Sequence, residues 1–214
     1  MEFDLTMTDE LLATTRAVRR RLDLERPVPR DILKECVELA VQAPTAGNSQ
    51  SWRWVIVDDP DKRKTLAELY RKAAQDFFVT AAEQAEQAGQ QQTARVYNSA
   101  NYLADHLEEV PVHVIPCIAR PPGEHAALSP ALAAGLYGSI FPAVWSFQLG
   151  LRARGLGSTL TMFHLMYEEE AAKLLSIPED LMQVALLPVA YTQGTDFKRA
   201  KRPPVDTVIH WNHC

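Results

Sequence analysis

The sequence predicts an α+β domain in which a small β-sheet packs between helices. Three observations carry this. Long stretches repeat apolar residues at helical spacing, whereas runs rich in Val, Ile and Trp are few and short. The strand-like runs lie far apart in the chain, so few of them connect through tight hairpins. The composition of the 214 residues, 47% hydrophobic and 23% charged, is ordinary for a globular protein. At this length roughly 70% of the unfolded surface can be buried, so a core forms without disulfide or metal staples and whole-chain disorder is excluded. No internal repeat and no Gly/Ser linker divides the chain, so residues 1–214 are read as one domain.

The elements follow in order. Thr8–Val18 forms a short helix with Leu11, Leu12, Thr15 and Val18 on one side. A second helix starts at Pro29 and carries Ile32, Leu33, Cys36, Val37 and Ala40 at helical spacing. The breakers from Ala43 to Asn48 end it. Trp52–Val57 is a strand. Asp58, Asp59 and Pro60 start a helix running to about Ala88, and Gln90–Leu107 is another. Pro111–Ala119 is a strand, followed by a loop at Arg120–Gly123. Ser129–Arg154 is a long helix with Ser129 as N-cap and Pro130 at its first position. Gly155 and Gly157 end it, and Ser158–Phe163 is expected to be extended. Tyr167–Leu175 is a helix whose Glu168, Glu169 and Glu170 suit its positive end. Gln183–Tyr191 is a strand, Thr192–Pro204 a polar loop, and Val205–His210 a final short strand.

Charge and cysteines narrow the class. The net charge of −5 argues against bulk nucleic-acid binding, which needs a net basic face. Three well-separated cysteines, Cys36, Cys117 and Cys214, read as free thiols in a reducing compartment. The start, Met1–Glu10, lacks a basic region followed by an apolar run, so a cytoplasmic protein is expected. Ala126–Leu151 has no charged residue and is long enough to span a bilayer. Its Ser129, Ser139, Ser146, Gln148, Gly135, Gly138 and Pro142, and its soluble-type N-cap, favour a helix at the centre of a packed core instead.

Basic residues are unevenly placed. Arg16, Arg19, Arg20 and Arg21 fall together, as do Lys198, Arg199, Lys201 and Arg202. In an acidic chain two such clusters are either a discrete anion site, for which the planar arginine fork suits phosphate, or solvated edges. The segment from Pro44 to Trp52 sets small residues, hydroxyls and amides between a helix and a strand. It is either an ordinary connection or a place where backbone N–H groups meet a ligand. Arg154–Thr159 is neither a dinucleotide fingerprint nor a P-loop, and reads as a glycine helix cap.

Taken together these pieces resemble the flavin-dependent nitroreductase family. The matching segments are Thr15–Arg20, Pro27–Pro29, Ala43–Trp52, Arg154–Ser158, Leu175–Pro178 and Val208–Trp211, in the family's order and across most of the chain. The likeness is weakest between about Tyr70 and Leu107. The resemblance implies an intertwined homodimer with two FMN sites at the interface, each built from both subunits, and the Ser129 helix buried between them. It implies that Arg16 and Arg19, with Arg20 beside them, grip the FMN phosphate and ribityl chain. Arg202 takes a C-terminal phosphate position, with Arg199 or Lys201 assisting. Pro44, Thr45, Ala46 and Asn48 match a loop laid against the flavin by the partner subunit, and Thr159–Phe163 a segment passing the flavin N5 edge, with Thr161, Met162 and Phe163 at the cofactor. The chain departs from the family at Ala17, where a serine is common, and at Met162–Phe163, where many members have Glu-Gly.

The activity the resemblance implies is transfer of hydride from NADH or NADPH, through FMN, to a nitroaromatic, quinone or similar small acceptor in two steps at one site. The flavin carries the chemistry, so no catalytic side chain is required. Other flavin reactions on the same scaffold, such as dehalogenation or dehydrogenation, and a non-enzymatic FMN carrier, remain open. Neither a metal, a membrane nor nucleic acid is expected as a partner. His210, His213 and Cys214 lie at a terminus that frays, and the other histidines lack metal-ligand spacing. His164 lies near the expected flavin edge. Tyr70, Phe77, Phe78, Tyr97 and Tyr102 read first as core residues, and secondly as walls of a pocket.

Overall fold

The computed structural model describes residues 2–121 and 129–214. The second half of the expected Arg120–Gly123 loop, His125 and the start of the uncharged run at Ala126 lie outside the described residues.

Local chemistry sets the helix ends. Helix α1 (Leu5–Thr14) is capped by Asp4, whose carboxylate accepts from the Met7 N–H. Helix α2 spans Arg30–Ala40, one residue after Pro29. Strand β1 is Trp52–Val57. Helix α3 (Pro60–Gln87) combines an Asp59 cap with proline in its first turn. Helix α4 is Gln91–His106, and strand β2 is Val112–Ala119. Helix α5 (Pro130–Ala153) has Ser129 accepting from the Leu132 N–H. Strand β3 is Leu156–Ser158, helix α6 Glu168–Leu175, strand β4 Leu181–Gln183 and strand β5 Leu187–Tyr191.

The sheet is antiparallel in the order β1-β2-β5-β3, with β4 also pairing β2. Strand β2 is the spine and is buried from Val112 to Ile118. Its side chains alternate between two layers. Val112, Val114 and Ile118 face Leu33, Cys36 and Ala40 of α2 and Ile140, Val144, Phe147 and Leu151 of α5. Ile115 and Cys117 face Leu66 of α3 and Ala171 of α6. Beside that second layer, Ala67, Tyr70 and Ala74 of α3 pack on Ala100, Leu103 and Ala104 of α4. Small side chains at helical spacing bring these two helices close.

Four expectations change. Helix α1 starts and ends earlier than Thr8–Val18, because residues 15–23 leave the helix to run beside the sheet: Val18 N–H donates to Ser158 O at 2.9 Å. The expected Gln183–Tyr191 strand is two strands, separated at Val184–Leu186. Opposite the break is Pro116, which has no N–H to give, so only its carbonyl is used, by Val184 N–H at 3.0 Å. The expected extended Ser158–Phe163 reduces to β3 plus a Thr161–Leu186 bridge, and a 3₁₀ turn begins at Phe163. Val205–His210 is no strand: it holds a 3₁₀ turn at Val205–Thr207 and pairs with nothing in the sheet.

The glycines after α5 have different tasks. Gly155 takes φ +75°, the left-handed cap conformation. Gly157 lies where a Cβ would come within 2.7 Å of Thr192 Cγ2 and 2.9 Å of Val18 Cγ2. Its bare backbone lets the 15–23 segment close on the sheet. Among the described residues, no helix is long and apolar enough to cross a membrane.

Candidate functional site

The basic run at Arg16–Arg21 lies on an extended segment stitched to the sheet. Ala17 bridges Ser158, Leu22 bridges Thr192, and Asp23 N–H donates to Tyr191 O at 2.8 Å. Extended backbone throws successive side chains to different sides, so the four arginines diverge. Arg16 is exposed and donates to Lys198 O at 2.8 Å, which joins the N-terminal and C-terminal basic clusters. Arg20 turns to Tyr102, lying 4.7 Å above its ring, and contacts Asn98 O at 3.3 Å. Arg21 pairs with Asp196 at 2.5 Å and lies over Phe197.

Arg19 alone of the four enters a cleft of about 380 Å³. Helices α3 and α4 give it Tyr70, Phe78, Val96, Tyr97 and Ala100; the chain after β3 gives it Leu160, Thr161, Met162, Phe163 and Met166. Phe163 is the hub of the wall, with ring centroids 4.8 Å from Phe78, 5.5 Å from Phe77 and 5.9 Å from Tyr70. Edge-on and tilted packing of this kind fixes α3 against the 160–163 segment. That segment is itself held by a reciprocal pair of backbone bonds, Thr161 N–H to Leu186 O at 3.0 Å and Leu186 N–H to Thr161 O at 2.7 Å. Met162 and Met166 stand exposed at the rim.

The polar groups of the cleft are few. Tyr70 Oη and Thr161 Oγ1 are 2.9 Å apart. Burial pushes the Tyr70 phenol above its ordinary range, while Thr161 and the Arg19 guanidinium pull it back. Burial also holds the Arg19 guanidinium below its usual value. Its hydrogen bond to Ser99 Oγ is long, at 3.5 Å, and among the described residues no carboxylate pairs with it. A half-buried, unpaired cation in an apolar cleft favours an electron-rich ligand.

Behind the wall, His164 is fully buried beside the Gln183 side chain, and among the described residues neither ring nitrogen makes a hydrogen bond of ordinary geometry. His113 is equally buried and uses Nε2 on Leu107 O at 2.8 Å. Burial pushes both imidazoles down to about 4. His164 thus stands beside the cleft as a neutral core residue. Cys36 and Cys117 are buried free thiols, and burial pushes Cys117 up to about 12.

Pro44, Thr45, Ala46 and Asn48 do not line the cleft. Their loop is anchored to α5 by Ala46 N–H on Ser139 Oγ at 2.9 Å; Thr45 is half-buried and accepts from Gln50 N–H, while Pro44 and Asn48 are exposed. Asn48 and Gln50 both take positive φ, 53° and 45°, an unusual pair for non-glycine residues. Arg199, Lys201 and Arg202 are exposed on a tail whose residues 201–214 are exposed throughout. Of the sequence-derived candidates, Arg19, Thr161, Met162 and Phe163 come together, with Ala17 close behind at Ser158. Arg16 lies with the Lys198 backbone, Arg20 lies elsewhere, and the loop and tail residues stay apart from the cleft within one chain. The sequence reading included Leu160 only as part of the Thr159–Phe163 segment, left out Val96, Ala100 and Met166, and placed Tyr70, Phe78 and Tyr97 first in the core. The aromatic spacing along α3, Tyr70 then Phe77 and Phe78 two turns later, was the available signal.

Residues 12–191 match the model of the family described as "Nitroreductase family". A NADH dehydrogenase of Thermus thermophilus is 42% identical over 72 residues, a match that spans 32% of this chain and 33% of that protein. An iodotyrosine deiodinase of Thermotoga neapolitana is 23% identical over 201 residues, spanning 94% of this chain and 96% of that one. The solved structure of an oxidized iodotyrosine deiodinase bound to FMN and 3-iodo-L-tyrosine superposes with a TM-score of 0.72 at 19% identity, covering 96% of this chain and 99% of that one. An FMN- and NADPH-dependent nitroreductase from Sphigopyxis sp. strain HMH gives 0.66 at 20% identity, covering 96% and 99%. The likeness of fold and the family match over most of the length agree, and this chain belongs to the nitroreductase family.

Proposed function

We propose that the chain is an FMN-dependent oxidoreductase that takes hydride from NADH or NADPH and delivers it to a nitroaromatic, quinone or similar small acceptor, donor and acceptor using one site in turn. The cleft carries this reading. One unpaired cation, Arg19, and two hydroxyls, Tyr70 and Thr161, look into a wall of aromatic and aliphatic side chains. That donor set suits a flat ring system, apolar on its faces and rich in hydrogen-bond acceptors along its edge. FMN, when bound, supplies the ring that accepts and gives up hydride.

The side chains have separable tasks. Arg19 stabilises negative charge on the ring edge in a site where low dielectric makes a fixed cation effective. Leu160, Met162 and Phe163 keep water from the reacting face. Arg16, with Lys198 behind it, holds the phosphate, joined by Arg202 and by Arg199 or Lys201. Asn48, held at positive φ in the exposed loop, is poised to meet a ligand from outside its own chain. Ala17 and Arg20 border the ribityl side.

A homodimer completes the site. Leu132, Tyr137 and Trp145 on α5, Leu5 and Leu12 on α1, and Val205, Val208, Ile209 and Trp211 on the tail are large apolar residues facing solvent in one chain. This exceeds the scattered exposure normal for a monomer and suits an obligate interface, on which a second copy brings its 44–48 loop to the cleft. The 214 residues form one domain, and the free thiols suit the cytoplasm.

The deiodinase likeness supports a second reading, reductive dehalogenation by the same cofactor. The cleft wall favours the first reading, because among the described residues its lining has no carboxylate to receive the ammonium of an amino acid. The experiment is the visible spectrum of the purified protein, with released flavin identified by chromatography, before and after anaerobic NADH and NADPH. Bound FMN that bleaches, with parallel-line kinetics against a nitroaromatic, is expected. FMN that neither donor reduces leaves a flavin carrier, a protein that binds no FMN removes the cofactor, and halide release from iodotyrosine with no nitroreduction favours the second reading.

A further inference from the structure

We propose that Phe197, held by Arg21 and Arg152, is a positioning residue that aims the C-terminal basic cluster at 198–202 toward the FMN phosphate. The inference rests on the reading of the chain as an FMN enzyme and gives a task to three side chains that do not line the cleft.

After β5 the chain is fastened by arginines. Gln193 N–H donates to Arg21 O at 2.8 Å, and Arg21 Nε donates back to Gln193 O at 2.8 Å. Arg152, in the last turn of α5, donates from Nη2 to Thr195 O at 2.9 Å. The same two guanidiniums lie over the Phe197 ring, their central carbons 4.3 Å and 4.8 Å from its centroid. A guanidinium can give its face to a ring and keep its in-plane donors for carbonyls, which a lysine ammonium cannot do. Two cations thus converge on one short segment. The electron-rich ring and the Asp196 carboxylate, 2.5 Å from Arg21, offset their repulsion. Gly194 completes the fit: it takes φ +77°, and a Cβ there would come within 2.6 Å of Arg21 Nη2. Of residues 193–199 only Phe197 is half-buried, and it packs on the core layer that includes Val18 and Leu22. Among the described residues, the last hydrogen bond from the tail to the rest of the chain is the one Lys198 O accepts from Arg16 at 2.8 Å. Beyond it the backbone advances at most about 3.6 Å per residue, so Arg202 ends within about 18 Å of Phe197. Phe197 is the last anchored side chain before Arg199, Lys201 and Arg202, and its seat decides which surface those cations reach.

Two measurements on the full chain test this. The first compares FMN with riboflavin, which has the same ring and ribityl chain but no phosphate, in titrations followed by flavin fluorescence. Phe197→Leu is expected to weaken FMN binding about tenfold, the size of one charge-assisted contact, and to leave riboflavin binding unchanged. Arg152→Gln, which takes one guanidinium from the ring, is expected to show the same split, and Phe197→Tyr to bind both flavins as the wild type does. Equal losses for the two flavins, or an unchanged FMN affinity in Phe197→Leu, overturn the proposal, because a ring that only packs has no preference for the phosphate. A wild type that binds FMN no better than riboflavin overturns it as well. The second readout needs no flavin. Hydrogen exchange followed by mass spectrometry is expected to be faster across residues 193–202 in Phe197→Leu, with the strands of the sheet unchanged; identical exchange across 193–202 overturns the anchoring. A wild type that binds neither flavin removes the cofactor reading, while the exchange rates still decide whether Phe197 holds the tail.

Discussion

Strand β2 and the C-terminal tail are extremes of one chain. Seven consecutive residues of β2 are buried, whereas every residue from 201 to 214 is exposed. Both contain large apolar side chains, and Trp211 is 80% exposed. The difference is one of partners. The β2 backbone is paired on one side by β1 and on the other by β4 and β5, with a helical layer on each face. The tail has one 3₁₀ turn, and among the described residues no backbone bond beyond Lys198 joins it to the sheet or helices. Apolar content alone therefore does not say what is core. The interior closes within one chain, whereas the tail and part of α5 leave large apolar side chains facing solvent, the surface on which the proposed second copy would dock.

Removing residues 199–214 breaks the comparison most severely. The shortened chain is expected to sediment as a monomer and to lose FMN binding, while its circular dichroism stays close to that of the full chain. A dimer that still binds FMN would show that the tail is dispensable and that another surface holds the copies together.

Acid tests the closed side. His113 and His164 are held neutral by burial, with ionisation pushed down to about 4 from an ordinary value of 6.5. Protons therefore bind the unfolded chain first as pH falls. This contribution to stability is complete above about 6.5, declines between 6.5 and 4, and levels off below 4. The decline is up to about 1.4 kcal/mol per pH unit for each histidine. Urea unfolding at several pH values is expected to show it, and to show a shallower slope in His164→Gln. An identical slope in that variant would remove His164 from the account.

Arg16→Ala probes the junction between the two regions. Losing a charge-assisted contact worth roughly 1.5–3 kcal/mol should weaken FMN binding by about ten- to a hundredfold. Unfolding by urea should barely change, because Arg16 is exposed. Unchanged FMN affinity would end its phosphate role. The smallest effect is expected from Gly157→Ala. Its new methyl group meets Thr192 and Val18 at under 3 Å, so the 15–23 segment must shift, at a cost of about 1–3 kcal/mol. If that variant unfolds like the wild type, the close approach of this segment to β3 is not a constraint.

Much of the fold was legible because it is written locally. Asp59 with Pro60, and Ser129 with Pro130, are chemical start signals for α3 and α5, and both helices begin there. The run Trp52–Val57 is strand from end to end. The misread segments lack that local control. Val205–His210 has β-branched residues like a strand, but a strand needs a neighbour, and the sheet in this chain gives it none. Gln183–Tyr191 reads as one run although Pro188 lies within it; Pro188 sits inside β5, and the break falls earlier, at Val184–Leu186, opposite Pro116 on another strand. In the candidate site, Arg19, Thr161, Met162 and Phe163 were found from family resemblance, while Tyr70 and Tyr97 were not separable from core aromatics. Hydrophobicity says that such rings are buried, but not that they are buried around a cleft.

By itself the sequence determined the α+β class, the starts of α3 and α5, the family and the presence of two basic clusters, because capping, periodicity and motif order are short-range properties of a chain. The tertiary structure decided which arginine enters the cleft. Arg16, Arg19, Arg20 and Arg21 are alike in sequence and carry the same charge. Only the stitching of their extended segment to β3 and β5 sends Arg19 toward Tyr70 and Thr161, Arg20 toward Tyr102, and Arg16 toward the backbone of Lys198. Direction along an extended backbone is set by the strand it pairs with, and that strand lies more than a hundred residues away in the chain.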